Sequence, residues 1–320
     1  MPEERRGETQ LSGTFASARQ IEIISRTPSC RLPLTLALGL LLADGVQAQE
    51  APPVVLAGTH QHDLVSAVNG QPYRLYLVGL PEGYAEGDTT RYPVLYLLDG
   101  RLTFPAAYSA RAFQDIYGGL ENVLLVGIGN GEADFGGWFQ HRWRDYTPTA
   151  DLAADSMAAA QFEQPVEAVR SGGAADFLQV LREEILPAVD AAYRTTADRG
   201  LAGHSLGGLF AAYALFEAPG LFQRVGLNSP SLWWDGEWAA GREAAFAAGH
   251  DALPAHVFLS VGAREGQMMV PPMEALADTL RGRGYAGLTV DAVVFDDETH
   301  TSVVPATVAR TLRVLYAPRR

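Results

Sequence analysis

Apolar residues along the chain fall into runs of two kinds. From Tyr73 the pattern Y-R-L-Y-L-V alternates before Pro81, Gly83 and Gly87, which predicts a strand running into a polar turn. The runs Tyr92 to Leu98 and Asn122 to Ile128 are instead continuous, and they stop at Asp99-Gly100 and at Gly129-Asn130-Gly131. Apolar character on both faces, closed by turn residues, suits central strands of a parallel sheet covered by helices on each side. Phe222 to Leu227, His256 to Val261 and Leu288 to Phe295 are further short apolar runs. Helix-like segments at Leu206 to Phe216, Pro272 to Arg281 and Val304 to Tyr316 alternate with them. Between Ala174 and Tyr193 the positions Phe177, Leu178, Leu181, Ile185 and Val189 recur at three and four residues, which predicts an amphipathic helix, kinked or bounded near Pro187. Strand and helix in alternation predict one α/β domain, with a mostly parallel central sheet and helices on both faces. No internal repeat interrupts it.

Two stretches resist this pattern. Glu132 to Thr149 is rich in Trp, Arg and Gly, and Ala150 to Gly173 is Ala-rich and acidic. Their place between elements makes loops or a lid over a site the expectation for about residues 132–173.

Composition narrows the chemistry. All 24 basic residues are arginines, so Schiff-base enzymes, Ser-Lys dyads and the phosphate-binding P-loop have no lysine to use. A net charge of −13 without any basic run argues against a nucleic-acid partner. The single cysteine, Cys30, precedes an apolar run from Leu32 to Ala43 that ends in the small-residue segment Val46-Gln47-Ala48. With Arg26 and Arg31 in front, residues 1–48 read as a secretory signal with an N-terminal extension, cleaved after Ala48. The run is too short to span a bilayer, so the expectation is a periplasmic or secreted protein with no stable membrane insertion and a single domain over residues 49–320. The mature chain would lack cysteine, which excludes disulfides, thiolate nucleophiles and cysteine-ligated metals.

Against that background Gly203-His204-Ser205-Leu206-Gly207 stands out. It fits G-x-S-x-G, the sharp strand-to-helix turn that lifts a serine oxygen above a sheet, and the residues on either side supply the strand end and the helix. A serine hydroxyl is a poor nucleophile at neutral pH and needs a base, which this kind of fold supplies in the order Ser, acid, His. Of His250, His256 and His300, only His300 follows the last strand and precedes the last helix, where the base belongs. The acid must end an intervening strand. Glu265, after His256 to Val261, is the candidate, with Asp296 or Asp297 as alternatives and a surface ion pair with Arg264 as the non-catalytic reading. The oxyanion needs two backbone donors, for which Leu206, after the serine, and Gly100, after the strand Tyr92 to Leu98, fit.

Tyr96-Leu97-Leu98-Asp99-Gly100, Asp145-Tyr146-Thr147-Pro148, Gly203 to Leu209, Ser229-Pro230-Ser231-Leu232-Trp233-Trp234 and His300-Thr301-Ser302-Val303 together resemble the putative-esterase family of α/β-hydrolases that includes the enterobactin-type siderophore esterases. These stretches spread over about Asp63 to Tyr316. The resemblance implies an α/β-hydrolase fold, Ser205 and His300 as the catalytic pair, Gly100 and Leu206 as oxyanion donors, and Arg142 near the substrate.

The expected reaction is carboxylic ester hydrolysis through an acyl-serine on a small-molecule ester, without a cofactor or metal; the alternatives are an acyltransferase using the same site and a general short-chain esterase. Arg101, Arg142 and Arg144, with Trp138 and Trp143 interleaved and Trp233 further on, would suit an anionic, aromatic, oxygen-rich ester such as a siderophore trilactone. The competing reading pairs these arginines with neighbours such as Asp145 and packs the tryptophans as ordinary core. His60-Gln61-His62-Asp63 looks like a metal motif but has no further histidine cluster, and Gly127 to Gly131 lacks the helix a dinucleotide loop needs.

Overall fold

The computed structural model describes residues 55–77, 80, 84, 85, 87–131 and 134–318. The expected signal segment, Cys30 and the cleavage point after Ala48 lie outside the described residues. The strands are β1 (His60–Val65), β2 (Pro72–Leu77), β3 (Tyr92–Leu98), β4 (Leu124–Gly129), β5 (Thr195–His204), β6 (Arg224–Asn228), β7 (Ala252–Gly262) and β8 (Ala286–Phe295). They form one sheet in the order β1-β2-β4-β3-β5-β6-β7-β8. β2 runs antiparallel to β1 and β4, and all pairs from β4 onward are parallel.

The continuous apolar runs are central strands for a simple reason: successive side chains point to opposite faces, and both faces are covered. In β3, Val94, Tyr96 and Leu98 enter one core while Leu95 and Leu97 enter the other. The second core is closed by α1 (Gly100–Asp115) and α9 (Val304–Leu315), through Phe104, Val308 and Leu312. On the first face lie α4 (Ala174–Val180), α6 (Leu206–Glu217) and α8 (Val270–Arg283), through Phe177, Phe210 and Met273. α6 is apolar all round because it is buried all round, from Leu206 to Phe216 with Tyr213 half-buried.

The helix expected from Ala174 to Tyr193 is interrupted earlier than at Pro187. A π turn over Leu181–Ile185 separates α4 from α5 (Leu186–Ala192), and Pro187 sits in the first turn of α5. Proline has no N–H to donate, and the wider π turn upstream absorbs the missing rung.

The stretch expected as loops or a lid is largely helical. α2 (Phe135–Asp145) and α3 (Leu152–Gln161) begin at Asp134 and Asp151, whose carboxylates accept hydrogen bonds from Gly137 N at 2.8 Å and from Ala153 N and Ala154 N at 2.9 and 3.0 Å. Phe139, Trp143 and Tyr146 are buried in the main core, and Trp143 Nε1 donates to Asp155 Oδ1 at 2.8 Å, tying the two helices together. Among the described residues no helix is long and apolar enough to cross a membrane.

Candidate active site

Ser205 stands between β5 and α6 with φ 62° and ψ −120°, a conformation L-residues rarely adopt. The turn is held by its neighbours: Ser205 N donates to Asn228 O at 3.0 Å, and Ser205 O accepts from Ser231 N at 3.1 Å. Gly203 is required by close approach, since a Cβ there would stand 2.3 Å from Gly207 O. Ser205 Oγ faces Ser231 Oγ at 3.4 Å.

His300 lies in the segment between β8 and α9. Its Nδ1 meets Glu265 Oε2 at 2.6 Å, and its ring packs on that of His204, the residue before Ser205, with centroids 4.5 Å apart. Glu265 ends the 3₁₀ turn Ala263–Glu265 that follows β7. Its other oxygen accepts from Ser229 Oγ at 2.7 Å and Gly262 N at 2.6 Å. Burial pushes the carboxyl up, but hydrogen bonds from His300, Ser229 and Gly262 outweigh it and hold Glu265 below the ordinary carboxylate range. Arg264, its sequence neighbour, is exposed, and so are Asp296 and Asp297. His204 is pushed down to about 3, chiefly by burial and then by the charges of His300 and Arg142, so it is neutral at working pH.

Gly100 is the first residue of α1 and Leu206 the first of α6, so both backbone N–H groups belong to the opening turns that have no partner within their helices. The two helix starts adjoin: a Cβ on Gly207 would lie 3.5 Å from Asp99 Oδ2. Gly100 packs so tightly that a Cβ would come within 2.5 Å of Gly127 C. Two positive helix ends close to one another suit a developing oxyanion.

The three residues expected at the substrate are placed differently from one another. Arg101 lines a cleft beside Gly100 together with Asn130, Trp138 and His141. Trp233 is 38% exposed at the start of α7 (Trp234–Ala247), its ring against Trp234. Arg142 lines the same cleft as Arg101, but its guanidinium is engaged by Asp99, Nε to Oδ1 at 3.1 Å and Nη2 to Oδ2 at 3.2 Å. Arg144 pairs with Asp145 at 2.7 Å. His60 and His62 are exposed on the edge strand β1, and no group of three or more metal-ligating side chains forms among the described residues.

Asp99, His204, Ser229 and Ser231 are parts of this site that sequence reasoning did not single out for a role. They lie within the stretches that carry the family resemblance, but their roles are not legible there, because each acts on a residue distant in the chain or on its own neighbour through the fold.

Comparison with known proteins bears on the family and the fold. The family model described as Putative esterase matches residues 66–296. The ferri-bacillibactin esterase BesA of Bacillus subtilis is 29% identical over 237 residues, 71% of this chain and 80% of the relative. The siderophore triacetylfusarinine C esterase of Aspergillus fumigatus is 32% identical over 191 residues, 57% of this chain and 59% of the relative. Among solved structures, the BES protein from Bacillus cereus superposes with a TM-score of 0.71 at 26% identity, covering 84% of this chain and 99% of that one. An IroE-like serine hydrolase from Shewanella oneidensis gives 0.67 at 29% identity, covering 81% and 80%. With the mostly parallel eight-stranded sheet and the serine at its strand-to-helix turn, the chain belongs to the Putative esterase family and is a serine esterase of the α/β-hydrolase fold.

Proposed function

We propose that this esterase cleaves a siderophore-type lactone or ester through an acyl intermediate on Ser205. In this reading His300 takes the serine proton and returns it to the leaving alcohol, Glu265 fixes the imidazole with its proton on Nδ1, and Gly100 N–H and Leu206 N–H receive the oxyanion. The observation that carries it is the 2.6 Å contact between His300 Nδ1 and Glu265 Oε2 beside the Ser205 turn, because it leaves Nε2 as the basic nitrogen. In this reading His300 comes within hydrogen-bond reach of Ser205 Oγ in the reacting complex, where such contacts tighten.

The substrate class rests on two supports. The relatives above bear the names of siderophore esterases. Arg101 beside Gly100, and the rings of Phe135, Trp138 and Phe162 on α2 and at the end of α3, offer an arginine and aromatic surface for an anionic aromatic acyl group. A second reading, a neutral short-chain ester, is favoured by the engagement of Arg142 and Arg144 with Asp99 and Asp145. The test is kcat/KM for a ferric catecholate trilactone against a neutral short-chain aryl ester, in wild type and Arg101→Ala. The siderophore reading expects trilactone cleavage and a loss in Arg101→Ala confined to the trilactone. No cleavage of the trilactone by wild type leaves the short-chain esterase.

The N-terminal segment, in this proposal, exports the protein and is removed after Ala48, which places hydrolysis outside the cytoplasm.

A further inference from the structure

We propose that Arg142 is a positioning residue that clamps the turn carrying Gly100 to the turn carrying Ser205, and so sets the spacing of the two backbone donors for the oxyanion. The inference rests on the esterase reading of Ser205 given above.

Asp99 precedes Gly100 and adopts a left-handed conformation, φ 53° and ψ 44°. A residue other than glycine held there costs on the order of 1 kcal/mol, and it persists only where its surroundings fix it. The fixing groups come from α2 and the residue after it. Arg142 donates to both carboxylate oxygens of Asp99, Trp138 Nε1 donates to Oδ1 at 3.0 Å, and Asp99 N donates to Tyr146 OH at 3.1 Å. The same Arg142 Nη2 reaches His204 O at 3.4 Å. One guanidinium therefore touches the residue before Gly100 and the residue before Ser205.

That guanidinium is itself held in place. It sits 4.9 Å from the centre of the Trp138 ring and 5.8 Å from that of Tyr146, and the side chain is 11% exposed. Its charge is matched by Asp99, whose side chain is 7% exposed, so the pair presents little net charge to an anionic substrate. A planar fork that bonds a carboxylate with two nitrogens while reaching a carbonyl with one of them is geometry that lysine cannot reproduce. Gly100 has no slack to compensate, since it already packs on the Gly127 backbone. Losing the clamp displaces one oxyanion donor relative to the other, and misplacement or loss of such a donor costs on the order of 10²-fold in rate.

The experiment compares wild type, Arg142→Lys, Asp99→Asn and the double variant on a neutral short-chain aryl ester and on an anionic catecholate ester, together with Ser205 phosphonylation by an uncharged aryl phosphonate ester. The expected result is a fall in kcat of about 10²-fold on both esters, with KM changed no more than a few-fold, and a matching fall in the phosphonylation rate. The double variant should lose no more than the worse single variant, because either change opens the same clamp. Trp138→Phe keeps an aromatic ring beside Arg142, though a smaller one, and removes the donor to Asp99. It should lose several-fold in kcat with the fold intact, and it decides the question if the charge variants do not fold. A KM increase confined to the anionic ester would make Arg142 a substrate receptor and overturn the proposal, as would additive losses or unchanged kcat in Arg142→Lys. If wild type neither hydrolyses esters nor is phosphonylated at Ser205, the esterase reading itself fails, an outcome distinct from an active wild type with indifferent variants.

Discussion

The His300 imidazole and the Glu265 carboxylate meet at 2.6 Å across 35 residues of sequence, and the glutamate side chain is fully buried while the histidine is 39% exposed. A buried acid holding a half-open base is the arrangement that fixes a tautomer and leaves the outer nitrogen for proton transfer. Glu265→Gln should lower kcat on the order of 10⁴-fold with little change in KM. Asp296→Asn and Asp297→Asn should stay within a few-fold of wild type. Steady-state kinetics of the three variants decides the point, and a larger loss in either aspartate variant would move the role of the acid away from Glu265.

Ser205→Ala should fold as wild type does and lose nearly all ester hydrolysis, leaving only what binding and the oxyanion donors supply. Relief of the positive φ plays no part, since alanine meets the same backbone strain. Circular dichroism and aryl ester turnover check the two halves of this statement, and activity within a few-fold of wild type would exclude Ser205 as nucleophile.

Ser229 is shielded from solvent, and its hydroxyl donates to Glu265 Oε1. Ser229→Ala leaves a buried carboxylate one donor short, which costs about 1–3 kcal/mol of stability. It should also lower kcat, since Glu265 then holds His300 less firmly. Denaturant unfolding and kinetics together test this, and a variant as stable as wild type would show that Glu265 does not depend on Ser229.

Two partly buried histidines make stability fall in mild acid. His204 is pushed down to about 3 and His141 to about 4, from an ordinary 6.5, in both cases chiefly by burial. Folded pKa values below unfolded ones mean that the unfolded chain binds more protons, so stability is complete above about pH 6.5 and is lost as pH falls from there toward 4. Between pH 7 and pH 5, His204 accounts for about 2 kcal/mol of the loss, and the half-buried His141 for less. Urea unfolding at the two pH values should show this drop, and His204→Asn should remove most of its own share. An unchanged pH dependence in that variant would mean that His204 binds its proton as readily in the folded protein as in the unfolded chain.

Protein recovered from its native host should begin at or near Gln49. Mass spectrometry of the purified N-terminus checks this, and an intact Met1 or Pro2 would refute export through residues 1–48.

The sequence by itself determined the sheet, the strand-to-helix turn at Ser205 and the family. Short continuous apolar runs closed by turn residues suit strands covered on both faces, and a strained turn between a strand and a helix demands small neighbours at fixed offsets, which one chain displays locally. In α2 the apolar positions Phe135, Trp138, Phe139 and Trp143 do fall at helical spacing but stand among Gly136, Gly137 and charged residues, whereas the Ala-rich α3 offers little beyond its capping residue Asp151. What Arg142 and Arg144 are bonded to, which of three acids faces His300, and the pairing of Ser229 with Glu265 were decided by the tertiary structure alone. An arginine reads the same in sequence whether it greets a substrate or saturates an aspartate, because charge is neutralised by distance in space, and the chain brings Asp99 to Arg142 across 43 residues only once the sheet and α2 have packed.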